Sequence, residues 1–254
     1  MSDRRNWSRQ ELILAINLYC RTPFGRIHTR NPEIIALAEK LGRTPGAVSY
    51  KLANFAHLDK SLPRKGAANV SKLDIEVWEM FYNNWEKMIS ESINLFSETF
   101  ESNSDFRTEC FEKEYSGDYQ GFSTTTISKS RLRQNFFRKM ILSSYDNKCC
   151  ITGIDIPELL VASHIIPWAK DEFNRLNPHN GLCMNSLHDR AFDIGLISLR
   201  DDFTVMLSTQ LKTKHSKFGN LDFLTKCENC KIALPRKFLP DPCFLKYHRE
   251  NIFM

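Results

Sequence analysis

The sequence predicts an α+β fold, with a helical N-terminal domain, a long connecting helix and a mixed C-terminal domain. Apolar residues recur with helical periodicity over residues 8–58 and again over residues 71–100. After residue 128 short apolar runs of strand length alternate with turn residues and one short helix. These patterns predict three segments: a helical domain at 1–66, a long helix with an acidic linker at 71–127, and a C-terminal domain at 128–254.

Three helices are expected in the N-terminal domain. Ser8 and Glu11 have the spacing of a capping box, and Pro32 suits the first position of a second helix. Gly42 ends that helix and Thr44 caps a third. The second and third helices resemble a helix-turn-helix, whose second helix can enter the major groove of DNA; an ordinary three-helix bundle is the alternative. The residues expected to contact DNA are Arg43, Ser49, Tyr50, Lys51 and Asn54.

The charge pattern favours a polyanionic partner. Residues 1–70 hold 12 Lys and Arg against 5 Asp and Glu, residues 71–127 hold 4 against 12, and the remainder holds 19 against 13. Basic surfaces release condensed counterions when they neutralise phosphates. No window of eighteen apolar residues predicts a membrane span, and no apolar N-terminal stretch resembles an export signal. A cytoplasmic protein with reduced cysteines is therefore expected.

The middle of the chain is expected to connect two basic parts. Residues 71–100 are predicted to form one long amphipathic helix, and residues 101–127 an acidic, then Ser/Thr-rich linker. A basic helix follows from Lys129. Its arginines, available for phosphates or solvent, are Arg131, Arg133 and Arg138.

Polar residues with the chemistry of a phosphodiesterase follow in the C-terminal domain. Strands are predicted within residues 145–153 and 159–168, the second ending near His164, and a hairpin within 196–208. An imidazole can deprotonate water near neutral pH, and a divalent cation on the helix that carries His188 could stabilise the developing charge. An amide such as Asn180 both donates and accepts, which suits it to orienting a catalytic loop.

Four motifs resemble the HNH endonucleases, which belong to the His-Me finger, or ββα-metal, nucleases. They are Thr-Gly at 152–153, Ala-Ser-His-Ile-Ile-Pro-Trp at 162–168, Asn-Gly-Leu at 180–182, and Leu-His-Asp-Arg-Ala-Phe-Asp-Ile-Gly-Leu at 187–196. The resemblance covers about residues 129–208 closely, and it extends more loosely to an N-terminal accessory module of restriction-type nucleases. It implies a ββα-metal core in which His164 is the general base, Asn180 orients the loop and His188 binds Mg²⁺ or Mn²⁺.

The metal ligands stay open among three residues. Many relatives carry a ligand just before the base, where this chain has Ser163, so that Asp189 and Asp193 are further candidates beside His188. A structural zinc is not expected, because the chain offers only one Cys-x-x-Cys pair for it. The residues that such a zinc site would use are Cys227, Cys230, Cys243 and His248.

The expected function is metal-dependent cleavage of duplex DNA, with a restriction-type role implied by the resemblance and modified DNA as one variant of the substrate. A single site cuts one strand, so double-strand cleavage needs a homodimer or two successive events. A DNA-binding regulator with an inactive site is the alternative from another class, and an RNA nuclease is the third. The recognition sequence, the cation and the oligomeric state stay open.

Overall fold

The computed structural model describes residues 5–61, 66–100, 129–214 and 221–254. Its backbone divides into two units, Met1–Met140 and Ile141–Met254. The expected linker at 101–127 lies outside the described residues. Of the helices described, none combines the length and the apolar character that crossing a bilayer requires.

The first unit is helical. Its helices are α1 (Arg9–Arg21), α2 (Pro32–Leu41), α3 (Pro45–Leu58), α4 (Lys72–Asn83) and α5 (Trp85–Thr99), and α6 (Lys129–Ser144) crosses the division between the units. The start signals read from the sequence act as expected. Ser8 and Glu11 form a reciprocal capping box, the Thr44 side chain accepts from the N–H of Ala47, and Gly42 ends α2 at a φ of 60°.

Helix α1 is the centre of this unit. It packs against α2, α3, α4 and α5, and all its residues from Glu11 onward are buried. Tyr19 of α1, Phe55 of α3 and Trp78 of α4 form an aromatic cluster with ring centroids 6.0–6.2 Å apart. Aromatic rings bury large apolar areas, and this cluster therefore joins three helices into one core.

The prediction of one long helix over residues 71–100 is wrong, because the chain turns at Asn84. Asn84 has φ −156° and ψ 79°, outside the helical region, and its N–H still bonds to the carbonyl of Met80 at 3.2 Å. Its side chain then accepts from the N–H of Lys87 at 3.0 Å and begins α5. Asparagine can end one helix and cap the next. The apolar periodicity on both sides of Asn84 therefore belongs to two helices with a break between them.

The described part of the second unit contains two small sheets and four further α-helices. Its elements are β1 (Leu160–His164), β2 (Gly181–Asn185), α7 (Ser186–Asp193), β3 (Ile197–Leu199), β4 (Val205–Leu207), α8 (Thr209–Lys214), α9 (Asp222–Thr225) and α10 (Pro242–Asn251). Strands β1 and β2 are antiparallel and α7 packs on both of them. The predicted hairpin is confirmed, since β3 pairs antiparallel with β4.

The strand predicted within residues 145–153 is wrong. This segment forms successive turns, with left-handed φ values of 53° at Asp146 and 56° at Asn147. The N–H of Gly153 bonds to the carbonyl of Cys149 at 2.8 Å, which closes a turn where a strand would need an extended partner. The partner of β1 is instead β2, so the long irregular stretch after His164 becomes a loop between paired strands.

His248 of α10 makes the stability of the second unit depend on pH. Its ring stacks on Phe192 at 3.7 Å, Nε2 lies 3.1 Å from the Phe192 carbonyl, and Nδ1 lies 2.9 Å from the Ser198 hydroxyl. Burial lowers the pKa of His248 to about 4, against 6.5 for an ordinary imidazole, although the bond to the Phe192 carbonyl opposes that shift.

We expect the contribution of His248 to the free energy of unfolding to fall by up to about 3 kcal/mol between pH 6.5 and pH 4. In that range His248 takes up a proton in the unfolded chain, whereas its ring stays neutral in the folded chain, so acidification favours unfolding. Urea denaturation at pH 7 and pH 5 measures the effect. In His248→Gln, whose amide can still donate to the Phe192 carbonyl, this component of the pH dependence should disappear; an unchanged slope would contradict the assignment.

Candidate active site

The two strands and the helix after them bring the motif residues into one region. His164 ends β1 and lies opposite Gly181 of β2 in the register. Helix α7 begins directly after β2, where the Asn185 side chain accepts from the N–H groups of Leu187 and His188 at 3.1 and 3.0 Å. This cap fixes the start of α7 beside Leu160, the first residue of β1, and the helix then packs on both strands, with Asp189 close to Ser163 next to His164.

His164 is held in one tautomer. Its Nε2 lies 2.9 Å from the carbonyl oxygen of Arg175, and a carbonyl can only accept, so Nε2 carries the proton and Nδ1 the lone pair. The ring meets Trp168 edge-on at 5.5 Å. Burial lowers the pKa of His164 below the ordinary value, although the bond to Arg175 opposes that shift. The ring is therefore neutral at pH 7, in the form that can accept a proton.

The loop that follows His164 is closed by its own side chains. The Nε of Arg175 donates to the Trp168 carbonyl at 2.8 Å, and the guanidinium lies 5.2 Å from the centre of the Trp168 ring. Arg175 thus fixes the residue that touches His164 and also supplies the carbonyl that orients it. Sequence reasoning missed both Arg175 and Trp168 as partners, because a loop without periodicity gives no signal for contacts seven residues apart.

Asn180 joins the two ends of this loop. It is buried, and its Oδ1 accepts from the N–H of Ile166 at 2.7 Å while its Nδ2 donates to the carbonyls of Ile166 and Asn174 at 3.2 and 3.1 Å. Its own carbonyl accepts from the N–H of Ile165 at 3.0 Å. One amide side chain therefore satisfies three backbone groups next to His164, which requires both a donor and an acceptor.

Helix α7 presents two carboxylates, Asp189 and Asp193, spaced four residues apart on one face. Burial raises the pKa of Asp189 above its ordinary value, although the Ser163 hydroxyl and Arg190 oppose that shift. Burial, and then the negative charge of Asp189, raise the pKa of Asp193. The Ser163 hydroxyl is close enough to affect Asp189, yet it is buried and has no partner at normal hydrogen-bond geometry in the part of the chain described.

His188 lies in different surroundings from Asp189. Its Nδ1 is 2.7 Å from the Asn185 amide nitrogen and its Nε2 is 3.2 Å from the Phe223 carbonyl. Burial lowers the pKa of His188, but interactions with Cys149 and Cys227 outweigh it and raise the pKa to about 9. Burial likewise raises the pKa of Cys149, and hydrogen bonds from His188 and Thr152 outweigh it and lower the pKa to about 6. Both nitrogens of His188 therefore already have protein partners.

The residues of α7 fit a hard divalent cation. Magnesium is usually held by one or two carboxylates together with waters and substrate phosphates, and Asp189 and Asp193 supply two such carboxylates beside the orphaned Ser163 hydroxyl. Among the described residues no three His, Cys, Asp or Glu side chains form a group that could enclose an ion by themselves. A cation at this face would accordingly depend on water and phosphate oxygens for its remaining ligands.

The four residues named for a zinc site differ in their surroundings and burial. His248 is stacked on Phe192 inside the second unit, and Cys227 is buried beside His188. Cys230 and Cys243 are exposed.

Three of the N-terminal residues expected at DNA have internal roles in the structure. Arg43 bonds to both carboxylate oxygens of Glu11, at 3.0 and 2.8 Å, and lies over the Trp7 ring at 4.1 Å. Lys51 forms a buried ion pair with Asp74 at 2.8 Å. The third, Asn54, is buried and donates to the carbonyl of Asn69 at 3.1 Å.

The other expected DNA contacts are more accessible. Tyr50 is exposed and Ser49 is half-buried on α3. On α6, Arg131 is exposed, Arg138 is half-buried, and Arg133 forms an ion pair with Glu86. Of the residues expected to contact DNA on α3, only Ser49 and Tyr50 are therefore accessible, so the accessible surface of α3 is smaller than the sequence predicts.

Lys51→Met is expected to destabilise the first unit by about 3–5 kcal/mol, because it leaves the buried Asp74 carboxylate without its counter-ion. Chemical denaturation of the full chain measures the loss. The double variant Lys51→Met/Asp74→Asn removes both charges and keeps an acceptor for the α4 cap, and it should recover most of the stability. If Lys51→Met instead left stability unchanged and only weakened DNA binding, Lys51 would be a DNA contact.

The second unit thus has the order strand, loop, strand and helix, with an imidazole at the end of the first strand and carboxylates on the helix. The sequence was compared with family models. Residues 149–200 match the model HNH_2, described as HNH endonuclease, and the chain therefore carries an HNH endonuclease domain in its C-terminal half. A search among curated proteins found no match.

Proposed function

We propose that this protein is a divalent-cation-dependent DNA endonuclease that hydrolyses phosphodiester bonds with His164 as the general base. The observation that carries the proposal is the 2.9 Å bond between His164 Nε2 and the Arg175 carbonyl, which places the lone pair of the imidazole on Nδ1. The HNH endonuclease domain at residues 149–200 supports a nucleic-acid substrate.

In this mechanism Nδ1 of His164 accepts the proton of the attacking water. The lowered pKa of His164 keeps the ring neutral at pH 7, so that the base is available without prior deprotonation. Arg175 and Asn180 keep the ring and its loop in place, which lowers the entropic cost of reaching the reactive geometry. His164 then holds the proton at Nδ1 as the phosphodiester bond breaks.

Asp189 and Asp193 would hold the cation on α7. When bound, the cation supplies positive charge that stabilises the phosphorane and the leaving 3′-oxygen. Burial raises the pKa of both carboxyls, and the negative charge of Asp189 raises the pKa of Asp193 further. A cation at this face would offset both effects, which supports this role. His188 is the third candidate ligand, but its contacts with Asn185 and the Phe223 carbonyl favour a structural role.

Asp189→Asn should lower the cleavage rate on the order of 100-fold at limiting Mg²⁺, because one of the two carboxylate ligands is lost. Higher Mg²⁺ or Mn²⁺ concentration should restore part of the rate. In the absence of cation the same variant should be at least as stable as the wild type, since the repulsion with Asp193 is relieved. Plasmid nicking and thermal unfolding measure the two effects, with the exposed Asp155→Asn as the control. Equal cation dependence of both variants would contradict the ligand assignment.

The direct test of the proposed function is plasmid cleavage by the full chain with Mg²⁺ or Mn²⁺, compared with excess chelator. We expect cation-dependent nicking of duplex DNA. If the wild type cuts neither unmodified nor methylated DNA with any divalent cation, the alternative of a DNA-binding regulator is favoured; a preference for structured RNA would reassign the substrate.

The proposal extends to a restriction-type role, supported by a separate basic helical region in addition to the nuclease domain: residues 1–70 hold 12 Lys and Arg against 5 Asp and Glu. A single active site cuts one strand, so a homodimer or two successive events would be needed for a double-strand break. The ratio of nicked to linear plasmid during the reaction distinguishes cleavage by a homodimer from two successive events. A dimer would produce linear DNA without accumulating the nicked form, whereas successive events would accumulate it first.

A further inference from the structure

We propose that the loop joining α1 to α2, together with the exposed first turns of α3, binds the phosphate backbone of duplex DNA. We call these residues the loop–helix surface. This inference rests on the proposed function for its ligand. It keeps Ser49 and Tyr50 from the surface that the helix-turn-helix pattern predicts, and it replaces the remaining residues with the loop between α1 and α2. The residues of the loop–helix surface are Arg26, His28, Thr29 and Arg30 from the loop, and Gly46, Ser49 and Tyr50 from α3.

The two exposed arginines of the loop have no acidic partner among the described residues of the first unit. Residues 21–32 contain three arginines and no Asp or Glu. Arg21 is buried and pairs with Glu33, whereas Arg26, His28 and Arg30 are exposed. Neither Arg26 nor Arg30 forms an ion pair within the described part of the chain. Two exposed guanidinium groups thus lie four residues apart on this loop, and guanidinium groups bind phosphates well.

The loop is built rigidly. It begins with a 3₁₀ turn at Phe24–Arg26, and the buried Asn31 closes it by donating from Nδ2 to the Arg26 carbonyl at 2.9 Å. The N–H of Asn31 also donates to the His28 carbonyl at 3.0 Å, and its Oδ1 accepts from Glu33 at the start of α2. Binding by a preformed loop loses little conformational entropy, so its charges can contribute to affinity.

The loop lies against the start of α3. A Cβ atom added to Gly46 would be 4.0 Å from the Thr29 side chain, which places Thr29 beside the first turn of that helix. Ser49 and Tyr50 lie three and four residues after Gly46, on the same side of α3, and Tyr50 is 51 % exposed. The loop and this side of α3 are therefore one continuous surface, next to the positive end of the α3 dipole.

The first test measures binding of a labelled DNA duplex to the full chain by fluorescence anisotropy, with Ca²⁺ in place of Mg²⁺ to limit cleavage. Arg26→Gln/Arg30→Gln should weaken binding roughly tenfold to thirtyfold at moderate salt and reduce the slope of log K against log salt by about 1.8, or 0.9 for each lost phosphate contact. The matched control is Lys72→Gln/Lys87→Gln, which removes two exposed charges from α4 and α5. Equal affinity and slope for the two double variants would overturn the proposal.

A second variant separates binding from folding. Gly46→Glu has room for its Cβ atom, and a carboxylate in the first turn of a helix favours the helix, so the melting temperature should be unchanged or higher. The same carboxylate should repel phosphates and weaken DNA binding. Unchanged DNA affinity in Gly46→Glu would overturn the proposal, as would tighter binding of duplex RNA than of duplex DNA.

The outcomes distinguish this surface from the nuclease activity. If the wild type binds DNA through these residues but never cleaves it, the proposed function is wrong and the proposed binding surface stands. If the wild type cleaves DNA but Arg26→Gln/Arg30→Gln binds DNA as tightly as the wild type, the binding surface is wrong and the proposed function stands.

Discussion

His164→Ala is expected to lower the rate of DNA cleavage by about 10²- to 10⁴-fold while leaving DNA affinity within a factor of two. This is the range that a positioned general base contributes, and alanine has no group that could accept the proton in place of the imidazole that Arg175 and Asn180 hold. Single-turnover cleavage of a labelled duplex measures the rate, and binding in Ca²⁺ measures the affinity. His164→Gln, which has no group that can take up a proton, should be equally slow.

The matched control is His179→Asn. His179 lies in the same unit and its Nδ1 contacts the Leu239 carbonyl at 2.7 Å, a bond that an asparagine amide can also donate. This variant should cleave at close to the wild-type rate. If His164→Ala retained most of its activity, or if His179→Asn lost as much, His164 would not be the base.

The pH profile gives a second readout of the same assignment. The neutral form of His164 is the active one and its pKa is lowered, so cleavage should persist below the ordinary imidazole value of 6.5 and fall only at lower pH. Below that fall the ring carries a proton and cannot accept another. Residual cleavage by His164→Ala should lack this acid limb, and an identical acid limb in the variant would assign it to another group.

Asn180→Ala is expected to destabilise the second unit by about 2–4 kcal/mol and to lower cleavage sharply. The substitution removes partners from the N–H of Ile166 and from the carbonyls of Ile166 and Asn174, and each backbone group left unsatisfied costs about 1–3 kcal/mol where water cannot replace the partner. Urea denaturation and single-turnover cleavage measure the two losses.

Asn180→Asp separates the acceptor from the donor. The carboxylate can still accept from Ile166, but it opposes the two carbonyls with a negative oxygen, so cleavage should fall even where the protein stays folded. The control is Asn177→Asp, which keeps an acceptor for the N–H of His179 and loses one bond to the Asn174 side chain. Wild-type activity in Asn180→Asp would show that the donated bonds do not orient the loop.

Local signals in the sequence predicted the local structure well. The caps at Ser8 and Thr44 and the left-handed Gly42 depend on neighbouring residues only, and the three helices they delimit are present. The α4–α5 break was not predictable in this way. Apolar periodicity continues on both sides of Asn84, and only the packing of both helices on α1 shows that the chain turns there.

The motif residues were found from the sequence, but their partners were not. The spacing of His164, Asn180 and α7 singled out one region, and strand pairing then brought it together. The strand predicted at residues 145–153 was wrong for a related reason, because an apolar run of that length does not indicate whether a partner strand lies beside it. The hydrogen bonds of Arg175 and Asn180 join residues across a loop without periodicity, so no sequence pattern predicted them.

The sequence by itself determined that a helical, basic N-terminal region accompanies a domain with the residues of an HNH endonuclease, because caps, periodicity and motif order are properties of neighbours along the chain. Only the tertiary structure decided which polar side chains face solvent. Lys51 and Arg43 are residue types that often contact DNA, yet Asp74 of α4 and Glu11 of α1 form ion pairs with them. The sequence lists the charged residues, whereas the fold sets the distance between opposite charges.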